Sequence, residues 1–212
     1  MARVTILVPQ GAEADAVRRT RPSARVVALP AGAAGASALP EFGNDETVLA
    51  MGLCGSLWRL QTGDVAIYGR VVDATHTFDL DPGLIDELTR ALPHATVVNA
   101  FTAKRVITTV VARTALAQRF NADVVDMEGM HLATALSVRG VRFAMVRVVS
   151  DDASRDLPPI DDAIGANGRL QPMPLALAFA RAPLAALAFV RDVRSSLGVL
   201  AKTARAINLV AV

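Results

Sequence analysis

The feature that most constrains the fold is an alternation of short, β-branched apolar runs with segments of helical pattern. Runs predicted as strands cover 3–8, 25–29, 47–51, 64–73, 105–111, 123–127 and 142–149. Segments predicted as helices cover 12–20, 82–92, 112–120 and 128–139. Such alternation is typical of α/β proteins. We therefore predict a three-layer α/β sandwich, in which helices flank a central mixed β-sheet.

Breaks between these segments are marked by small and polar residues. Residues 30–45 are rich in Ala, Gly and Pro and are predicted as a loop. The strand predicted over 47–51 runs into a tight turn at Gly52-Leu53-Cys54-Gly55. Asp81 precedes Pro82, which indicates a helix N-cap followed by proline at the first position. The Asp-rich stretch 150–167 is predicted as a second long loop.

The C-terminal part of the chain differs in character, and we divide the chain into an α/β domain (1–164) and a helical extension (165–212). The extension has six basic residues and one acidic residue, while the whole chain has a net charge of only +2. Its apolar residues share one helix face: Phe189, Val190, Val193, Leu197, Leu200, Ala204 and Ile207. Two interpretations stay open: this face packs on the domain or a second subunit, or it lies on an anionic membrane.

Composition excludes several classes of function. Aromatic residues make up 4% and the charges nearly balance, so we expect no nucleic-acid binding. Cys54 is the single cysteine, which excludes a disulfide framework and a cysteine zinc site. The apolar run at the N-terminus is too short for a signal peptide, and Arg181 and Pro183 interrupt the longest apolar stretch. We expect a cytoplasmic protein, with peripheral contact to the inner membrane as the alternative.

Three acidic residues follow predicted strand ends, where ligands gather in open α/β sheets. Glu128 either caps a helix or grips the hydroxyls of a sugar. Asp151, after Ser150, either caps a turn or, partly desolvated, stays protonated and donates a proton. Glu13 is either a surface acid or part of the same site. Since no dinucleotide-binding or P-loop motif is present, and Glu128 with His131 forms only half of a di-metal motif, we expect neither cofactor nor metal.

Three segments together resemble the nucleoside phosphorylase / nucleosidase superfamily, which includes purine nucleoside phosphorylases and methylthioadenosine/S-adenosylhomocysteine nucleosidases. Val125-Asp126-Met127-Glu128 resembles its V-[DE]-M-E motif, and Arg147-Val148-Val149-Ser150-Asp151 resembles its R-x-[IV]-S-D motif. Residues 51–57 and 63–65 resemble its glycine turn and the strand that follows. Order and spacing agree over 3–153, which implies the phosphorylase-like fold.

The resemblance implies roles for particular residues. Asp151 would protonate N7 of a purine leaving group, and Glu13 would orient or activate the attacking water. Glu128 would hold the ribose hydroxyls, with Met127 against the sugar. Ser150 and the glycine-turn residues Gly55 and Ser56 would also bind substrate. The reaction would pass through an oxocarbenium-like state, as in glycoside hydrolysis, and would need no metal.

Two departures from the family pattern bear on the reaction. Phosphorylases usually place an arginine before the glycine turn to bind phosphate, whereas residues 48–51 contain no cation. Water is therefore favoured as nucleophile, and a phosphate-dependent purine nucleoside phosphorylase is the alternative. Residues 108–112 also replace the usual base-pocket segment. This replacement keeps open a third interpretation, a protein of the same fold that binds nucleosides or lipids without catalysis.

The C-terminal extension is similar to the tail of the hopanoid-biosynthesis-associated members of the superfamily. The similar segments are Gly168-Arg169-Leu170, Ala182-Pro183-Leu184 and Phe189-Val190-Arg191-Asp192. This similarity implies release of adenine from adenosylhopane, a lipid-linked nucleoside. We expect a small-molecule nucleoside as the partner, peripheral membrane contact through the C-terminal helix as an option, and a homo-oligomer.

Overall fold

The computed structural model describes residues 3–20, 25–43, 45–160 and 172–208. Its strands are β1 (Arg3–Pro9), β2 (Arg25–Leu29), β3 (Glu46–Ser56), β4 (Val65–Val72), β5 (Thr77–Asp79), β6 (Thr96–Thr102), β7 (Val124–Asp126) and β8 (Arg142–Asp151). Its helices are α1 (Ala12–Thr20), α2 (Ala33–Ser37), α3 (Pro82–Ala91), α4 (Val110–Phe120), α5 (Gly129–Val138), α6 (Pro172–Arg181) and α7 (Pro183–Asn208).

The eight described strands form one mixed sheet in the order β2-β1-β3-β7-β6-β4-β5, and β8 pairs with both β3 and β4. Strand β3 runs parallel to β1 and β8 but antiparallel to β7. The pairings β3-β8-β4-β6-β7 return to β3, so five strands form a closed ring of pairings. The predicted α/β fold with a mixed central sheet and flanking helices is confirmed.

Two apolar cores lie between the sheet and the helices, one on each side of the sheet. One core joins strand residues such as Ile6 to α1, α3 and the second half of α7, through Val17, Leu84 and Leu200. The other joins the sheet to α5, for example through Leu136. Because both faces of the strands are covered, their sequences are continuous apolar runs rather than alternating patterns.

Strand β3 brings the motif segments together. The predicted turn at 52–55 is wrong, because β3 continues through it to Ser56 with a register shift between Cys54 and Gly55. Gly55 is opposite Val125 of β7 on one side and Asp151 of β8 on the other. The ends of the two motif strands therefore meet at the end of β3.

Several boundaries differ from those predicted. The strand expected over 105–111 is wrong: residues 103–109 lack regular structure, and α4 begins at Val110 after an N-cap by Thr109. Strands β5 and β6 were not predicted, and α2 lies within the expected loop 30–45. The helix at 82–91 and its Asp81 cap are confirmed, since the Asp81 side chain accepts from Leu84 N.

Helix α7 packs on the domain through its second half. Leu200, Ala204 and Ile207 are buried against α1 and the sheet, which agrees with the packing interpretation for this part of the apolar face. The expected loop residues 161–167, and the proposed domain boundary at 164/165, lie outside the described residues. Among the helices that the structure describes, none is long and apolar enough to cross a membrane.

Candidate active site

A cavity of about 820 Å³ opens where the ends of β1, β3, β7 and β8 meet the first half of α7. Six of the seven predicted site residues line this cavity, and three of the six are acids. The lining residues include Glu13, Met127, Glu128, Ser150, Asp151 and Gly55. Residues that follow strand ends, from position 13 to position 151 of the chain, therefore lie together in the wall of this cavity.

Ser56 does not belong to that wall. Its side chain is completely buried, and its Oγ has no hydrogen-bond partner among the described residues. Its backbone oxygen accepts a hydrogen bond from Arg113 instead. The prediction that Ser56 binds substrate therefore does not fit its position, because its side chain has no access to a ligand in the cavity.

Glu128 is free of the helix-capping role considered above. It occupies the N-cap position of α5, but its side chain makes no capping hydrogen bond. The helix end is capped by Asp126 Oδ1, which accepts from Gly129 N, and by Thr102 Oγ1, which accepts from Met130 N. The Glu128 carboxylate instead accepts from Gly32 N at 2.8 Å and faces Arg147.

Arg147 lies at the centre of a group of carboxylates that we call the Arg147 cluster: Arg147, Glu13, Asp126 and Glu128. Its Nη2 is 3.7 Å from Asp126 Oδ2 and 3.6 Å from Glu128 Oε2. Its Nη1 donates to the Met51 carbonyl at 3.3 Å. The guanidinium is 1% exposed, and its Nε has no partner among the described residues.

Burial controls protonation in the Arg147 cluster. Removal from bulk water raises the pKa of Glu13 to about 7, although Arg147 and the Leu53 N–H both act to lower it. Burial also raises the pKa of Glu128, again against the effect of Arg147. The carboxylates in turn hold the pKa of Arg147 above its usual value, despite the cost of burying it. A carboxyl with a pKa near 7 is suited to accept a proton at neutral pH.

Gly52 makes this cluster sterically feasible. A Cβ at this position would overlap Nη1 of Arg147 and would lie 2.7 Å from Oε2 of Glu13. The Glu13 side chain also accepts a hydrogen bond from Leu53 N, the next residue of β3, at 3.1 Å. The glycine in the middle of β3 therefore lets a guanidinium and a carboxyl lie directly against the strand backbone.

Asp151 is bound differently, by a second buried arginine. One carboxylate oxygen of Asp151 forms an ion pair with Nη2 of Arg113, and the other accepts from Ser150 Oγ at 2.6 Å. We call this contact the Arg113–Asp151 pair. Both carboxylate oxygens of Asp151 are therefore bound by neighbouring side chains, and its role as a proton donor stays a prediction.

The rest of the wall is largely apolar and comes from loops and from the C-terminal helices. It includes Val106, Ile107, Leu157, Ile160, Phe179, Phe189, Val190 and Val193. Two exposed arginines, Arg105 and Arg194, also line the cavity. Within the described ranges, no group of three or more His, Cys, Asp or Glu side chains is arranged to hold a metal ion.

Sequence reasoning included Arg147 in a motif without giving it a role, and it missed Arg113. Arg147 stands alone in an apolar strand, and a charge in such a buried run signals a partner of opposite charge. Arg113 gave no such signal, because it lies in a helix between exposed neighbours and meets Asp151 only through the fold. The apolar wall at 105–107 was missed because its β-branched residues were predicted as a strand.

Comparisons with known proteins agree with this architecture. The family model of the phosphorylase superfamily matches residues 28–169. A methylthioadenosine/S-adenosylhomocysteine nucleosidase from Campylobacter jejuni superposes with a TM-score of 0.72 at 14% identity, covering 98% of this chain and 99% of its own. Comparison with the curated proteins gives no match.

Two further solved structures have the same fold. A futalosine hydrolase from Helicobacter pylori gives a TM-score of 0.72 at 15% identity, covering 97% of both chains. The methylthioadenosine nucleosidase of Arabidopsis thaliana gives 0.67 at 14% identity, covering 99% of this chain and 96% of its own. With a family model that spans most of the chain and a fold that agrees along its length, the protein belongs to the phosphorylase superfamily.

Proposed function

We propose that this protein hydrolyses the N-glycosidic bond between a purine and a ribose derivative. The observation that carries the proposal is the convergence of Glu13, Glu128 and Asp151 on one cavity, and burial that raises the pKa of Glu13 to about 7 supports it. The similarity in fold to two nucleosidases and a futalosine hydrolase supports the same reaction class.

Each acid has a distinct task in the proposed reaction. The bond between C1′ and the base nitrogen breaks, and its electron pair leaves with the purine. Asp151, once protonated from solvent, passes its proton to N7 of that leaving base. A water attacks C1′ and gives one proton to the Glu13 carboxylate, which returns it to solvent. Purine and free sugar are the two products, and the atoms balance with water as the second substrate.

The Arg147 cluster supports this chemistry through its charge. Three carboxyl groups surround one guanidinium, so the cluster favours a positive charge on the sugar in the transition state. Glu128 lies on the cavity wall beside Met127, where it can accept hydrogen bonds from ribose hydroxyls. Asp126 is held by Tyr68, Thr102 and the Gly129 N–H, which suits an anchor for Arg147 rather than a ligand of the sugar.

Charge also favours water over phosphate as the nucleophile. Both buried arginines of the site are already engaged, Arg147 by carboxylates and Arg113 by Asp151. Around these two cations the buried acids Glu13, Asp126, Glu128 and Asp151 are in excess, which disfavours a phosphate dianion beside them, while Arg105 and Arg194 line the exposed part of the cavity. This arrangement agrees with the missing arginine before the glycine segment.

For the substrate we propose an adenosine derivative with an apolar 5′ substituent, adenosylhopane being the lipid-linked candidate. The apolar part of the cavity wall, contributed by residues such as Phe179, Phe189 and Val193, would bind a hydrocarbon. Chromatography of the products from adenosine derivatives with 5′ substituents of increasing apolar length tests this assignment. We expect kcat/KM to rise with apolar length, and a preference for the shortest derivative would contradict it.

Access to a lipid substrate would be provided by the surface that α6 and the first half of α7 present. Large apolar side chains are exposed there: Met173, Leu177, Leu184, Leu187 and Val190. Arg181, Arg191 and Arg194 are exposed on the same two helices, which suits an anionic lipid surface. The membrane-facing residues of the earlier prediction need correction, because Leu200 and Ile207 are buried in the protein.

Vesicle co-sedimentation tests this contact. We expect the protein to sediment with anionic vesicles at low salt, and Leu184→Gln with Leu187→Gln to abolish sedimentation without lowering turnover of a soluble adenosine derivative. Failure of the unmodified protein to sediment would contradict membrane contact. We also propose that the chain forms a homo-oligomer, which sedimentation velocity tests: a monomer at micromolar concentration would contradict it.

A further inference from the structure

Arg113 is a large side chain that belongs to no motif, yet it is completely enclosed in the protein. It lies on α4 and is 1% exposed, while its helix neighbours on both sides are exposed. Burial of a guanidinium is costly unless every donor finds an acceptor. The hydrogen-bond partners of the Arg113 guanidinium therefore indicate the role of this buried charge.

The guanidinium contacts four groups that come from three segments of the chain. Nε donates to the Ile107 carbonyl at 3.0 Å. Nη1 donates to the carbonyls of Ser56, at 3.3 Å, and Asp152, at 2.8 Å. Nη2 donates to the carboxylate of Asp151. Three backbone carbonyls thus fix the plane of the guanidinium, and only its contact with Asp151 involves another charge.

Asp151 is consequently held at both oxygens. Arg113 binds Oδ2, and the Ser150 hydroxyl donates to Oδ1 at 2.6 Å. Gly55 lies close behind, since a Cβ at that position would be 2.9 Å from Oδ2. The carboxylate therefore has one orientation at the cavity wall, set by groups on α4, β3 and β8.

A purely structural role is a poor explanation for this arrangement. A buried ion pair is often replaced by apolar residues of similar volume with no loss of stability. A charge adjacent to an acid has a specific chemical effect, because a cation favours the ionised form of the carboxyl. Arg113 places such a cation in direct contact with one oxygen of Asp151.

We propose that Arg113 is a positioning residue for the leaving-group step, which fixes the orientation of Asp151 and strengthens it as a proton donor to the departing base. This inference rests on the proposed function. Arg113 thereby joins the residues that act in the leaving-group step. Its hydrogen bond to the Ile107 carbonyl also links the orientation of Asp151 to a loop of the apolar wall.

The test compares Arg113→Met, which removes the charge, with Arg113→Lys, which keeps it. With a soluble adenosine derivative, we expect Arg113→Met to lower kcat about 10- to 100-fold and to change KM less than threefold. The basic limb of the pH profile of kcat should move to higher pH, because loss of the cation lets Asp151 retain its proton. Arg113→Lys should return the limb toward its original position.

Arg119→Met is the matched control, since Arg119 is an exposed arginine near the end of the same helix. Its kcat and pH profile should equal those of the unmodified protein. A second control places Arg113→Met in an Asp151→Asn background, where no buried carboxylate loses its partner. If Arg113 acts through Asp151, this second substitution should lower the residual kcat less than twofold.

Two outcomes would overturn the inference: a normal kcat and pH profile for Arg113→Met, or effects of the two substitutions that multiply in the double variant. Both leave the proposed function intact, provided the unmodified protein releases a base. Absence of base release from the unmodified protein would contradict the proposed function itself. If Arg113→Met does not fold, the double variant and Arg113→Lys still decide, because neither leaves an unpaired buried carboxylate.

Discussion

Two buried arginines lie at the candidate active site, and the groups around them differ in number and charge. In the Arg147 cluster one guanidinium faces three carboxyl groups, and the pKa values of Glu13 and Glu128 are raised because burial outweighs the attraction to Arg147. In the Arg113–Asp151 pair one guanidinium faces one carboxylate, and backbone carbonyls take its other donors.

This difference suits the two halves of a glycosidic cleavage. The cluster has excess negative charge and groups able to take up protons near neutral pH, as required where positive charge develops and water is deprotonated. In the Arg113–Asp151 pair one positive charge faces one negative charge, and both oxygens of Asp151 are held. A fixed orientation is required where one acid passes its proton to the leaving base. Arginine and carboxyl side chains therefore serve two tasks, and the number of carboxyl groups around each arginine distinguishes the two.

The largest expected effect comes from removing the acid of the pair. Asp151→Asn should lower kcat on the order of 10²- to 10⁴-fold, the usual contribution of a general acid. Asp152→Asn is the matched control, because its carboxylate contacts Ser154 and Thr62 instead of Arg113. Steady-state kinetics checks both variants, and a near-normal rate for Asp151→Asn would refute proton donation by this residue.

Within the cluster, Glu128→Gln should lower kcat about 10²-fold with a smaller change in KM, because charge stabilisation acts mainly in the transition state. The comparison substrates are nucleosides that lack the 2′- or 3′-hydroxyl. If Glu128 holds these hydroxyls, the penalty of the substitution should shrink on the deoxy substrates. An equal penalty on all substrates would show that Glu128 does not contact the sugar.

The raised pKa of Glu13 predicts a stability change with a definite sign. The folded protein binds this proton up to about pH 7, whereas an unfolded chain loses it near 4.5, so ionisation of Glu13 destabilises the fold as pH rises between these values. The difference between about 7 and 4.5 corresponds to roughly 3 kcal/mol. Glu13→Gln should therefore melt at a higher temperature than the unmodified protein at pH 8.

At pH 4 the two proteins should melt nearly alike, because Glu13 is then protonated in both folded and unfolded states. The same substitution should remove the acidic limb near pH 7 from the profile of kcat/KM. Thermal melts at both pH values check the first statement and initial rates check the second. A melting difference that does not vary with pH would contradict the ionisation of Glu13.

The smallest effect is expected from a single added methyl group. Gly52→Ala would displace Arg147 and Glu13, and we expect about a tenfold loss of kcat and about 1–3 kcal/mol of stability. Gly198→Ala, on α7, has nothing within 4 Å of the new Cβ and should keep full activity. If Gly52→Ala also keeps full activity, the close approach of the cluster to β3 is not required.

The sequence alone predicts Glu13, Glu128 and Asp151 as site residues, but neither Arg113 nor the contacts of Arg147 with Asp126 and Glu128. Glu13 and Asp151 follow β1 and β8, which both run parallel to β3, so local pattern suffices to place these two acids at one edge of the sheet. Glu128 follows β7, which runs antiparallel to β3, and it joins them because β7 pairs with the end of β3. Arg113 and Asp151 are 38 positions apart and meet only through the tertiary fold. The local sequence around either residue does not predict such a contact.

The errors have a similar origin in tertiary context. Residues 105–111 are rich in β-branched side chains, yet Val106 and Ile107 form cavity wall, and Thr109 caps a helix that starts at Val110. The apolar face of α7 was predicted as one surface, but Leu200 and Ile207 are buried while Val190 is 41% exposed at the cavity. The helical spacing of apolar residues identifies the apolar face of α7, but it does not predict which part of the protein covers each section of that face.

Base release measured with and without phosphate tests the central claim most directly. The unmodified protein is incubated with a soluble 5′-substituted adenosine, and adenine and the sugar product are quantified by chromatography. We predict equal rates of adenine release in both buffers, with free sugar as the second product. A requirement for phosphate with formation of a sugar 1-phosphate, or no adenine in either buffer, would contradict hydrolysis at this site.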